Sequence, residues 1–304
     1  VKFEVTILGS GAALPTLSRN STAQYITIQN KHLLIDCGEG TQLQMRKFGV
    51  KIQRLSIILI SHLHGDHFFG LVGLISTMRL LGRDKNLTII CPKGLKEIVL
   101  AQLEIGHTQL DFDIDFIELT GKENSIVYSD NVIEIATFPL KHKIPTNGFI
   151  VREKEKERNL KSGASNHPGM KMEYIHRLKK GEDVVTESGE LFRFEDFTKP
   201  PKPSLSYAFC SDTAYSENVI DAIKDVTCLY HEATFTEEHK ANAKKTMHST
   251  AIQAATVAKK ANVQKLYMGH LSARYTDVLQ HETEARTIFE ESHYVMDGMV
   301  FKVG

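Results

Sequence analysis

The chain has 304 residues, 41% of them hydrophobic, enough for the core of one large domain or two small ones. Its 37 basic and 37 acidic residues cancel, so global charge recruits no polyanion, and any nucleic-acid contact has to come from a local patch. No apolar run approaches the roughly 18 residues of a membrane span, which leaves no membrane partner to expect, and the scattered Cys37, Cys91, Cys210 and Cys228 read as reduced thiols of a cytoplasmic protein.

The opening "VKFEVTILGSG" reads as a strand and a turn rather than a signal peptide. "FEVTILGS", "AQYITIQ" and "HLLIDCG" are predicted to open a sheet, with a helix from Glu39 to Phe48 stopped by Gly49. "LSIILIS" is a buried strand, Leu71 to Leu81 a helix, "LTIICP" a strand and Lys93 to Ile105 a helix. Strand character returns in "DFIELT", "SIVYS" and "VIEIATFPLKH". Residues 151–203 are polar and charged with few, dispersed apolar positions, and read as an excursion from the core rather than a second domain. Beyond them come the strand "SYAFCSDT", a helix from Ser216 to Lys224, the strand "TCLYHEATF", a helix from His248 to Lys260, the strand "KLYMGHLS", a helix from Val278 to Phe289 and the closing "YVMDGMVFKV". Strands followed by helices in both halves predict one α/β layered domain over 1–304 with two sheets inside.

The chemistry concentrates in "ISHLHGDHFFG", at the end of a buried strand. His62 and His64, two apart in extended chain, point the same way and can grip one cation. Asp66 and His67 follow where the chain turns through Gly65, and can face a second cation close to the first. Two metals about 3.5–4 Å apart are the clamp of phosphoester hydrolysis. Imidazole with carboxylate suits zinc, and manganese is an acceptable alternative. Further ligands should sit at other strand ends, and His142 after "FPLK", Asp212 in "FCSDT" and His270 after "LYMG" do so.

HxHxDH followed by isolated His, Asp and His resembles the metallo-β-lactamase fold. More narrowly, "SHLHGDH", "CSDT", "HEATF", "MHST" and "GHLSARY" resemble the ribonuclease Z family, endonucleases that trim precursor tRNA at its 3′ end. The resemblance covers nearly the whole chain. It implies an αββα sandwich of two mixed sheets flanked by helices, with a protruding, flexible arm inserted over 151–203. It also implies two zinc ions per subunit: one on His62, His64 and His142, the other on Asp66, His67 and His270, with Asp212 bridging. A hydroxide bridging the two would attack phosphorus and leave a 3′-hydroxyl on the tRNA. Asp66 is then both ligand and a candidate base for the attacking water. His248 is the expected general acid, held protonated by Glu232; the alternative is that His248 only caps a helix. His231 is either a partner of a metal ligand or a buried hydrogen-bonder.

Specificity for precursor tRNA, a homodimer and a cytoplasmic location also follow from the resemblance. "NHPGMKMEYIHRLKKGE" is similar to the tip of the family's tRNA-clamping arm, which makes Arg177, Lys179 and Lys180 candidate phosphate contacts. Met170 stands there where proline is usual. In "GSGAALPTLSRN", Arg19 is a further candidate RNA contact, and Leu17 replaces a lysine tied to rejecting CCA-ended tRNA. The competing functions are a small-molecule phosphodiesterase or sulfatase of the same fold, or an RNA-binding relic without catalysis.

Overall fold

A computed structural model describes residues 2–304. The N-terminal sheet contains β1 (Phe3–Gly9), β2 (Ala23–Ile28), β3 (Lys31–Ile35), β4 (Ile57–Leu59), β5 (Leu87–Pro92) and β6 (Ile114–Leu119). Between them lie α1 (Thr41–Lys47), α2 (Gly65–Phe68), α3 (Leu71–Leu80) and α4 (Leu95–Ile105). The next strands, β7 (Ser125–Ser129), β8 (Ile133–Leu140) and β9 (Thr146–Glu153), begin a second sheet.

Residues Glu153–Ser204 are a compact unit of their own, with β10 (Asn159–Leu160), α5 (Met172–Lys179), β11 (Val184–Val185), β12 (Leu191–Phe192), α6 (Phe194–Phe197) and β13 (Thr198–Lys199). Its interior is Tyr174, Leu178, Val184 and Phe192, backed by Met170, Phe194 and Phe197. The excursion expected over 151–203 thus has a small interior of its own. The apolar residues are few, but α5 and the β11–β12 hairpin gather them. Met170, in the usual place of a proline, packs on this interior.

The main unit resumes with β14 (Ser206–Cys210), α7 (Glu217–Ala222), β15 (Cys228–Glu232), α8 (Lys240–Thr246), α9 (Ala251–Lys260), β16 (Lys265–Gly269), α10 (Leu279–Arg286), β17 (Ser292–Tyr294) and β18 (Val300–Lys302). The two seven-stranded sheets run β18-β1-β2-β3-β4-β5-β6 and β17-β16-β15-β14-β9-β8-β7. Both are mixed: β1 pairs antiparallel with β2, for example, while β3, β4, β5 and β6 run parallel.

Side-chain alternation explains the layering. Val5, Ile7, Ile26, Leu33, Ile57 and Leu59 face a central core shared with Ile133, Phe149, Tyr207 and Tyr230 of the second sheet. Their neighbours Leu8, Tyr25, Leu34, Ile58 and Ile60 face the opposite way, onto Met45, Leu74, Met78 and Val99 of the helices. On the second sheet, Ala208, Leu229, Leu266 and Met268 meet Val219, Ala254, Val257 and Ala285. The result is a four-layer α/β/β/α sandwich, as the resemblance implied.

Several elements differ from the sequence reading: α8 and the short elements of the Glu153–Ser204 unit were not predicted, and two further differences bear on the site. β9 was not predicted, and α9 begins at Ala251 rather than His248. Thr250 caps that helix: its hydroxyl accepts from the Gln253 amide at 3.3 Å and the Gln253 side chain accepts from the Thr250 amide at 3.0 Å. His248, two residues before that cap, therefore does not cap α9.

Candidate metal centre and active site

The loops that follow β4, β8, β14 and β16 meet at one edge of the two sheets. His62, His64, Asp66 and His67 arrive from the first sheet, and His142, Asp212 and His270 from the second. His270 holds a left-handed backbone (φ 65°), uncommon outside glycine though better tolerated by histidine than by most residues.

Asp212 organises the cluster. Its Oδ1 lies 3.4 Å from His67 Nε2 and 3.2 Å from His270 Nε2, and these two nitrogens are 3.3 and 3.4 Å from Asp66 Oδ2. Its Oδ2 lies 3.6 Å from His62 Nε2 and 3.8 Å from His142 Nε2. His64 Nδ1 completes that second group, 3.1 Å from His62 Nε2 and 3.3 Å from His142 Nε2. One carboxylate therefore presents an oxygen to each of two donor groups.

A second set of contacts fixes which nitrogen each imidazole offers. His67 Nδ1 donates to Asp36 Oδ2 at 2.7 Å. His142 Nδ1 donates to the Met247 carbonyl at 3.0 Å. Thr234 spends its hydroxyl proton on Glu232 Oε2 (2.8 Å), so it accepts from His270 Nδ1 at 2.9 Å. Ser61 gives its proton to Asp36 Oδ2 (2.9 Å) and accepts from His62 Nδ1 at 3.0 Å. Four imidazoles thus turn an Nε2 lone pair inward, and His64 turns Nδ1.

These donors fit metal ions. Tetrahedral zinc with bonds of about 2.0–2.1 Å places its ligands about 3.3–3.4 Å apart, close to the spacings above. His67 Nε2 and Asp212 Oδ1 are buried without a hydrogen-bond partner, a costly state that a cation would relieve. Charge points the same way. Burial opposes ionisation of Asp212, yet His270, His67 and His62 hold it well below the usual carboxylate range, and His67 and His270 do the same for Asp66. Burial opposes a charged His67 as well, but Asp212, Asp36 and Asp66 draw its pKa well above the ordinary value. Three carboxylates converging on one imidazole describe a site that wants positive charge.

Beside the cluster, His248 Nδ1 donates to Glu232 Oε1 at 3.0 Å, and its Nε2 is 4.0 Å from Asp212 Oδ2. Burial disfavours the imidazolium, but Glu232 outweighs it and lifts His248 to about 9. Glu232 is fully buried and accepts four more hydrogen bonds, from the amides of Thr213, Thr234 and Ser249 and the Thr234 hydroxyl; burial opposes its ionisation, but His248 holds its carboxyl below the ordinary value. His231 stays out of the cluster; it is buried and its Nδ1 donates to the Glu232 carbonyl at 2.6 Å. A cavity of about 430 Å³ opens on the site, lined by Ala12, Ala13, Lys143, Thr246 and the cluster side chains.

Relatives share this chain end to end. The ribonuclease Z of Bacteroides thetaiotaomicron is 41% identical over 302 residues, covering 99% of this chain and 96% of that protein. The chain belongs to the ribonuclease Z family. It is accordingly a hydrolase of the endoribonuclease type on a metallo-β-lactamase fold. The ribonuclease Z of Cytophaga hutchinsonii is also 41% identical, over 99% of this chain and 96% of its own. Human tRNase Z, short form, superposes with a TM-score of 0.73 at 28% identity, covering 99% of both chains. Residues 3–155, half of the chain, also match the family model "Anti-Pycsar protein Apyc1", so the chain belongs to that family as well.

The candidate RNA contacts fare unevenly. Arg19 directs Nη1 inward, to the Ser10 hydroxyl (2.9 Å) and the Val295 carbonyl (3.1 Å). Arg177 pairs with Glu182 at 3.0 Å and Lys179 with Glu157 at 2.8 Å, whereas Lys180 makes no ion pair among the described residues. Leu17 is fully exposed.

Three residues of the site escaped the sequence reading. Asp36 and Thr234 set imidazole orientation as above. Asp297 anchors both ends of the 10–20 loop, accepting from Ser10 N and Oγ (2.9 and 2.7 Å) and Asn20 N and Nδ2 (2.8 and 2.9 Å). Only "HLLIDCG" carried a local signal, an acidic residue at a strand end level with the "SHLHGDH" loop.

Proposed function

We propose that this chain is a zinc-dependent endoribonuclease that removes 3′ trailers from precursor tRNA. The observation that carries the reading is Asp212 facing two histidine groups through its two oxygens, with the His248–Glu232 pair 4.0 Å away. His62, His64 and His142 would hold one cation, Asp66, His67 and His270 the other, and Asp212 would join them. Bound there, two zinc or manganese ions would ease deprotonation of water and neutralise charge gathering on the phosphoryl oxygens. Asp66, half-buried and anionic, orients the attacking water and takes its proton. His248, kept as imidazolium by Glu232, faces the cavity and gives a proton to the departing ribose 3′-oxygen. The tRNA product then ends in a 3′-hydroxyl.

The Glu153–Ser204 unit supplies the tRNA-docking arm in this reading, with Lys180, Arg177 and Lys179 as its phosphate contacts and Arg19 as a further contact. The protein acts in the cytoplasm as a homodimer. No helix among the described residues is long and apolar enough to cross a membrane.

The test is incubation of the purified protein with 3′-extended precursor tRNA, wild type against Asp212→Ala. Cleavage at the trailer junction by wild type alone supports the reading. Turnover of small phosphodiesters without any RNA cleavage would replace it with a small-molecule phosphodiesterase.

A further inference from the structure

A second cavity, of about 570 Å³, adjoins the first and shares His64 with it. Its walls are Leu63, Pro92, Leu119, Ile144 and Pro145, and its rim carries Thr120 and Lys93. The walls are aliphatic, and none of the proposed chemistry uses them. Thr120 is occupied, its hydroxyl donating to Glu123 at 2.7 Å. Lys93 is exposed and forms no ion pair among the described residues, so the slot has one uncommitted cation at its mouth.

The combination has the layout of a nucleotide. The metal cavity takes a phosphate at one side of His64, an apolar slot opens on the other, and a lone ammonium waits at the edge. Flat nucleobases favour apolar walls, and a backbone phosphate favours a lysine that need not abandon a carboxylate.

The side of the cut is set by His248. Its ring lies 5.2 Å from His142, which lies 5.1 Å from His64, so His142 links the acid to the imidazole that borders the slot. The nucleotide whose 3′-oxygen departs must approach His248, which lines the metal cavity and not the slot. The slot, lined by neither His248 nor His142, is left for the nucleotide on the other side of the scissile phosphate.

We infer that the slot beside His64 binds the base of the first trailer nucleotide, immediately 3′ of the scissile phosphate, with Lys93 on the phosphate that follows. This rests on the proposed action on precursor tRNA. The slot makes the enzyme sensitive to the presence of that base rather than to its identity, because aliphatic walls offer no base-specific hydrogen bonds.

The test uses the metal-loaded wild-type protein and three precursor tRNAs: intact, abasic at the first trailer nucleotide, and abasic at the last retained nucleotide. The trailer-abasic RNA should lose about tenfold in kcat/KM, mainly through KM, and the third RNA should stay within about twofold of the intact one. Ile144→Trp, which fills the slot, should lower intact RNA to the trailer-abasic level and abolish the difference. Equal cleavage of intact and trailer-abasic RNA by wild type would overturn the slot alone, as would a penalty confined to the retained nucleotide. Failure to cut any of the three would sink the tRNA reading and the slot with it.

Discussion

Asp36 and His67 are joined by a 2.7 Å hydrogen bond between Oδ2 and Nδ1, deep in the protein and behind the metal cluster. The Ser61 amide and hydroxyl also donate to Asp36, at 2.8 and 2.9 Å, so the carboxylate is itself held in place. Asp36→Asn should keep the shape but lose the acceptor charge that fixes the His67 tautomer. Metal affinity is expected to fall about 10- to 100-fold, as is usual for partners of ligating histidines. Titration of stripped protein with zinc, monitored by calorimetry, checks this; unchanged affinity would refute the orienting role.

His248→Ala should lower kcat on precursor tRNA by about 10²- to 10⁴-fold, the usual share of a general acid, while metal content stays at the wild-type level. Glu232→Gln should lower kcat less steeply, because the 3.0 Å contact to His248 survives without its charge. A double variant no worse than His248→Ala alone would show that the two act as one unit. Kinetics on one 3′-extended substrate, with metal analysis of each variant, distinguishes lost chemistry from lost metal.

Arm removal can be made cleanly. Arg152 of β9 is paired with Ser206 of β14, so the chain leaves and re-enters the second sheet at adjacent positions. Replacing residues 153–205 by Asn-Gly should close an ordinary hairpin. The truncated protein is expected to hydrolyse a small phosphodiester at near wild-type rate and to lose precursor-tRNA cleavage. Equal loss of both activities would mean that the arm does more than dock RNA.

His281, which is not one of the metal donors, gives the fold a pH dependence of its own. It is fully buried between the rings of Tyr275 and Tyr294, and burial depresses its pKa to about 4 from 6.5. The unfolded chain therefore binds a proton between pH 6.5 and 4 that the native protein refuses. Stability present above pH 6.5 is lost as pH falls through that window, by about 3 kcal/mol. Urea unfolding from pH 7 to pH 4 should show a shallower decline for His281→Phe than for wild type. Parallel declines would contradict this.

The donors were legible in the sequence because each closes an apolar run: "SIILISHLHGDH", "FPLKH", "AFCSDT" and "LYMGH" carry their ligands at strand ends, a pattern that survives in one dimension. Asp36 was not legible as a partner of His67, since the tie depends on two loops meeting 31 residues apart. The strand Thr146–Glu153 was hidden for a different reason. Nearly all of it is buried, so no alternation marks it, and Pro145 and Gly148 imitate a turn. Gly148 is there because a side chain would strike the Phe138 ring. The start of α9 was legible after all: "STAIQ" is a capping box that places the boundary at Thr250.

Four of the seven donors hang from the N-terminal sheet and three from its companion. Cations seated among them would therefore act as rivets across the seam between the halves of the sandwich. Whatever binds the folded arrangement and not the unravelled chain raises the free energy of unfolding. Cofactor supply and mechanical endurance become a single property: a chelator should lower the melting temperature of the whole main unit as well as silence the enzyme, and differential scanning calorimetry with and without chelator would register it.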